Sequence, residues 1–246
     1  MSRATSAAAL EPAAASTTGY LAVSSRPLMS LVFLLPFILL YEIGTRLLLT
    51  DPVHGTQHIV AFTLLQRFFA WFGATGRLLP AFAVVAILLT WHLARKDRWS
   101  VSLPTLLGMA VESIALAVPL IVFALLLARF FPLATPAGVS MGETLVFSLG
   151  AGVYEELVFR LMLCTGLAIV LRNGFKLSVR TSLLLLVLLS ATLFSAYHYL
   201  GHEAFSWRIF VFRLGAGVYF AVLFLARGFG VTAGSHMAYD ILIVMR

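Results

Sequence analysis

The chain has 246 residues, 61% of them hydrophobic and only 11% charged, with a mean hydropathy of +1.00. A soluble domain carries about 25% charged residues, so the composition excludes one and predicts an all-α, polytopic membrane bundle of about seven transmembrane helices. The formal charge of +7 collects in short loops, where it reports topology; nucleic acid is not indicated as a partner.

Residues 1–26 are rich in Ala, Ser and Thr and read as a flexible cytoplasmic tail. The first apolar run, from Pro27, is too long for the core of a signal peptide. It predicts a span over 27–49 in which Glu42 and Arg46, four apart, pair. The connection 51–76 mixes His58, Gln66 and Arg67 with Phe62, Phe68, Phe69 and Trp71, which suits an interfacial helix over 57–73. His54 and His58 read there as solvated residues, with metal binding as the alternative. Further spans are predicted at 78–93, 103–131, 142–171, 181 to beyond 198, 207–226 and 228–245. Glu112, in the third, either pairs with Arg213 or sits near the interface. Cys164 is the single cysteine; it excludes an intrachain disulfide and reads as a buried thiol.

The apolar runs are continuous, without the alternation of a membrane barrel, so the spans are helices. With the N-terminus in the cytoplasm, nine Lys and Arg fall inside and five outside. That bias agrees with seven spans and an N-in orientation, here expected in a bacterial cytoplasmic membrane. The chain divides into the tail (1–26), N-terminal membrane helices with the interfacial segment (27–141) and a C-terminal membrane core (142–246).

The stretch from Gly142 to Leu171 organises the rest. It is apolar enough to cross a bilayer, yet Glu155, Glu156 and Arg160 lie at its middle. A charge at that depth costs about 2.5–3.5 kcal/mol, which points to a functional site facing a protein-lined cavity. Glu156 and Arg160 are four apart with the glutamate first, the better order on a helix. Glu155 lies about 100° round from Glu156. Arg160 then neutralises Glu156 and leaves Glu155 for chemistry; the competing reading is an ion pair that only fixes packing.

Two later spans add His198, four residues after Phe194, and His236, four before Asp240. A carboxylate beside a wet cavity serves as general base on water. Two histidines either bind a metal that lowers the water's pKa or hydrogen-bond the water and the scissile carbonyl. Glu155, His198 and His236 are thus the candidate ligands for Zn2+ or another divalent ion. His198 reaches the depth of Glu155 if its helix runs on to about Ser206; a helix ending at Leu200 leaves convergence to strong tilting. A proton-coupled transporter is the rival class, with Glu112, Glu155, Glu156 and Asp240 as relay groups, but the sequence carries no inverted repeat.

EELVFR (Glu155–Arg160), FSAYH (Phe194–His198) and HMAYD (His236–Asp240) resemble, in order, the patterns E-E-x-x-x-R, F-x-x-x-H and H-x-x-x-N of the CPBP intramembrane proteases, the CAAX-protease, bacteriocin-processing and Abi-like group. FAVLF (Phe220–Phe224) resembles an additional F-x-x-x-F element. The resemblance covers residues 142–245. It implies an intramembrane endopeptidase, of metallo- or glutamate type, that cleaves a membrane-anchored or lipidated peptide or protein within or beside the bilayer. Glu155 would act as base, His198 and His236 as ligands or electrophilic donors, and Arg160 would hold Glu156. Asp240 departs from the family's asparagine: an ionised aspartate cannot donate to an oxyanion, so it either orients His236 or pairs with Arg160. A non-cleaving scaffold or immunity protein is the remaining alternative.

Overall fold

The computed structural model describes residues 19–52, 55–130, 140–200 and 204–245. Helices α1 (Tyr20–Ser24), α2 (Pro27–Leu48), α3 (Val60–Trp71), α4 (Leu79–Arg95) and α5 (Leu103–Phe130) form the first half. A two-residue hairpin, Thr50–Asp51 with Gly55–Thr56, joins α2 to the approach to α3. The second half runs through α6 (Met141–Gly150), two stretches of wider π turns (Ala151–Glu155 and Leu157–Cys164), α7 (Thr165–Ile169) and a last wide turn at Val170–Gly174. Then come α8 (Val179–Tyr197), α9 (Trp207–Arg227) and α10 (Phe229–Val244). This is a helical membrane bundle. Among the described residues four helices, α2, α5, α8 with its terminal turn, and α9, are long and apolar enough to cross a membrane; α4 and α10 are shorter apolar helices.

The ends of these helices follow from local chemistry. Ser140 and Glu143 close a capping box on α6: the Ser140 hydroxyl accepts from the Glu143 amide at 3.2 Å, and the Glu143 carboxylate accepts from the Ser140 amide at 2.7 Å. Ser178 caps α8 through the Thr181 amide. Lys96 ends α4 in the left-handed region. A single residue, Gly228 at φ 76°, reverses the chain between α9 and α10, a turn that an L side chain would strain.

Helix α10 is the axis of the bundle. Phe229 to Met237 are buried without interruption, and α5, α2, α9 and the wide turn at Ala151–Glu155 all pack on it. A helix apolar on every side has no solvent or lipid face to keep, so a polar residue on it, such as His236, must find protein partners.

Three expectations change here. Glu42 does not pair with Arg46: its Oε1 accepts the Tyr154 hydroxyl at 3.1 Å, and no ion pair to Arg46 forms among the described residues. Glu112 pairs with Arg227 and not Arg213. The guanidinium meets both carboxylate oxygens, at 2.5 and 2.8 Å, while the Tyr20 hydroxyl donates to the same group at 2.6 Å. The tail expected through Arg26 ends earlier, since α1 is docked by this cluster; residues 1–18 lie outside the described residues. His54, one half of the His54–His58 metal alternative, lies outside them too.

His58 is packed, not solvated. Its ring stacks on Phe62 at 4.2 Å, and its Nδ1 is 3.2 Å from the Tyr41 hydroxyl. Burial, aided by the nearby Arg77 charge, lowers its pKa to about 4. A histidine held neutral in the fold contributes stability above its ordinary pKa of about 6.5 and loses it as pH falls toward 4, because the released ring binds a proton that the packed ring does not. Acidification from pH 6.5 to 4 therefore loosens the α2–α3 connection. His58→Phe flattens that part of the profile, as hydrogen exchange over residues 55–62 would report.

Candidate active site

The sequence places two glutamates on a wide-turned helix, and the fold turns them to different tasks. Glu156 is fully buried between Arg160 and His236. Its Oε2 lies 3.1 Å from Arg160 Nε, and its Oε1 accepts from His236 Nδ1 at 2.8 Å. The Arg160 approach has the distance of an ion pair without hydrogen-bond alignment, so that attraction is mainly Coulombic. Arg160 is fixed otherwise by Nη2 donating to the Gly217 carbonyl at 3.3 Å and by its guanidinium lying 4.3 Å over the Phe194 ring.

Glu155 points the other way, into a cavity of about 540 Å3. Its Oε2 stands 3.9 Å from His198 Nε2 and 3.9 Å from His236 Nε2. Both imidazoles are tied at Nδ1, His198 to the Phe194 carbonyl at 2.8 Å and His236 to Glu156. A carbonyl oxygen can only accept, so His198 carries its hydrogen on Nδ1 and, when neutral, presents the Nε2 lone pair to the cavity. The Tyr197 hydroxyl faces the Glu155 carboxylate. Asp240 adds a carboxylate whose Oδ2 is 3.6 Å from His236 Nε2.

Two features bring these groups together. Gly152 lets the wide turn touch α10: a Cβ there would collide with the Met237 side chain and stand 2.8 Å from the Ala233 carbonyl. The π turns, which often mark functional sites, then carry Glu155 and Glu156 past His236. The second feature is symmetry about a turn. Glu155 precedes Gly174 by 19 residues and His198 follows Val179 by 19, so both lie at about the same depth along antiparallel neighbours. Helix α8 does stop at Tyr197, with a short 3-10 turn over His198–Leu200. Convergence survives because depth is counted from the 174–179 turn, not from Gly142.

All six expected residues meet. The role expected for Asp240 changes: Glu156, not Asp240, is the carboxylate that orients His236 through Nδ1, and no Arg160–Asp240 pair forms among the described residues. Phe220, from the F-x-x-x-F stretch, stacks on His236 at 4.6 Å and 22°. Tyr197 was missed, although it directly precedes His198. Arg213 was read only as a partner for Glu112; it lines the cavity and lies within electrostatic reach of Asp240. Cys164 is buried away from the cavity, as expected.

The donor set suits a divalent ion chemically, and its spacing is somewhat wide for one. Ligands at about 2.0–2.1 Å around a tetrahedral zinc stand about 3.3 Å apart, closer than the 3.9 Å separations here. Among the described residues no group of three His, Cys, Asp or Glu side chains is arranged to hold a metal. One water with two hydrogen bonds of about 2.8 Å also spans such a separation.

The cavity walls are largely apolar: Leu120, Ala124 and Leu127 of α5 and Ile209 and Phe212 of α9 line it, with Arg208 and Arg213 of α9 beside them, and Glu155, His198, His236 and Asp240 complete the lining. In comparison with known families, residues 136–242 match the family model described as Rce1-like, type II CAAX prenyl endopeptidase Rce1-like. That range contains all six residues of the site, and over it the chain is similar to that endopeptidase family. No curated protein and no solved structure matches the chain.

Arg160→Met leaves the Glu156 carboxylate buried without its cation, a change that costs about 3–5 kcal/mol. The double variant Arg160→Met/Glu156→Gln recovers most of that loss, as paired thermal unfolding of the two proteins would show.

Proposed function

We propose that the chain, carrying its Rce1-like domain at 136–242, is an intramembrane endopeptidase that hydrolyses a peptide bond of a lipidated or membrane-anchored protein with a water activated by Glu155. The observation that carries this reading is the pair of 3.9 Å separations from one Glu155 oxygen to two imidazole nitrogens at the floor of an apolar-walled cavity.

A water in that gap donates one hydrogen to Glu155 Oε2 and the other to His198 Nε2. Glu155 removes a proton as the water oxygen attacks the scissile carbonyl. His236 sits among the Glu155, Glu156 and Asp240 carboxyl groups, and we assign it an Nε2–H that hydrogen-bonds to the developing oxyanion and stays on the ring throughout. Glu155 then returns its proton to the amine nitrogen as the carbon–nitrogen bond breaks, which restores the starting carboxylate. Glu156 and Arg160 touch no substrate; they keep His236 in place, with Phe220 against its ring. The family's substrate type suits the site, since an apolar wall accepts a prenyl or acyl group while the polar floor meets the adjacent backbone.

The test is cleavage of a quenched fluorescent peptide bearing a prenylated C-terminal cysteine motif, by purified protein in bilayer discs. Glu155→Gln loses about 10²–10⁴-fold in rate, the range that a general base supplies, and His198→Ala and His236→Ala also abolish cleavage while all three insert normally. The unprenylated peptide is cleaved far more slowly. Full cleavage by Glu155→Gln removes Glu155 as the base, whereas no cleavage of either peptide by the unmutated protein favours a partner-binding scaffold. On this route no ion takes part, so activity persists in a strong chelator; loss in chelator with recovery on adding Zn2+ would overturn the water-only route.

A further inference from the structure

The N-terminal half, outside the matched domain, holds a second crevice. It lies between α2 and α4, has a volume of about 380 Å3 and is lined along its length by Leu35, Leu39, Phe82 and Val85. Leu39 and Phe82 are 54% and 63% exposed, so the groove opens sideways, toward lipid. One end is polar. Glu42 and Arg46 line it, and Arg77, just ahead of α4, lies within electrostatic reach of Glu42.

That polar end is unsatisfied. Glu42 is only 8% exposed, and its Oε2 is buried without a hydrogen-bond partner, as are Nε and Nη2 of Arg77. Buried polar atoms are nearly always paired, yet here three remain unpartnered near the end of one apolar groove. Two guanidinium groups against one carboxylate give this end a positive balance whether or not Glu42 is ionised. Arginine's planar fork matches a phosphate, and the length beside it matches an acyl chain.

We propose that the α2–α4 crevice binds an anionic phospholipid of the bilayer, with one acyl chain along Leu35, Leu39, Phe82 and Val85 and the phosphate at Arg46 and Arg77. The Tyr154 hydroxyl, bonded to Glu42, connects this crevice to the residue preceding Glu155. The proposal is independent of the protease assignment, because its readout is binding.

The full chain in neutral detergent is titrated with phosphatidylglycerol, phosphatidylcholine or water-soluble glycerol 3-phosphate while its unfolding midpoint is followed. Phosphatidylglycerol raises the midpoint by about 2–4 °C at saturation; the other two leave it nearly unchanged. Arg46→Gln/Arg77→Gln and the groove-filling Val85→Trp each cut the phosphatidylglycerol response at least threefold. If the double variant does not fold, Arg46→Gln alone, at an exposed position, must reduce the response. Equal responses to the two phospholipids, or a full phosphatidylglycerol response in Arg46→Gln and Val85→Trp, overturn the proposal.

Discussion

The structure depends on one buried carboxylate. Glu156 is held by Arg160 from its own helix and by His236 from α10, with no exposure at the glutamate or the arginine. A buried ion pair is not stabilising by default, since desolvation of both ions opposes their attraction. What this one contributes is position. Arg160 also reaches the α9 backbone at Gly217 and the α8 ring of Phe194. A single guanidinium thereby fixes the relative placement of three helices, and the carboxylate extends the tie to a fourth.

Division of labour between adjacent glutamates follows from that tie. Glu156 uses both oxygens on protein partners and faces a dry interior. Glu155, next in sequence, projects to the cavity and keeps an oxygen for something smaller than a side chain. The histidines show the same logic, each with Nδ1 engaged by protein and Nε2 turned to the cavity. Groups that would otherwise rotate freely are locked at the end remote from the chemistry, which is what makes the near end preorganised.

Much of this was legible in the chain because the informative spacings are local. Charges at membrane depth marked the fourth span, the four-residue interval joined Glu156 to Arg160, and the same interval placed His236 beside Asp240. Contacts between distant segments were not legible. Glu112 meets Arg227 across 115 residues and Tyr154 meets Glu42 across 112, and no periodicity records such pairings. Depth went astray for a related reason: a distance counted from Gly142 ignores that the helical run from Ala151 to Gly174 meets α8 at the 174–179 turn, from which Glu155 and His198 are equally far. Tyr197 carried no signal at all, since a tyrosine at a helix end has many roles.

The motif-free half of the chain nonetheless sets the site. His236 has its depth because α10 starts at Gly228, and Gly228 is held where Arg227 is held. Arg227 grips the Glu112 carboxylate of α5 with two nitrogens and the Ser24 hydroxyl of α1 with one of them. Phe220 lies eight residues before Gly228 and His236 eight after, and their rings stack. An anchor at one end of an antiparallel helix pair thus fixes a ring contact two turns away, and that contact steadies the imidazole facing Glu155. Among the described residues, the first 141 positions supply Leu120, Ala124 and Leu127 to the cavity wall and no ionisable group to its lining; they fix the point from which the reacting groups are measured.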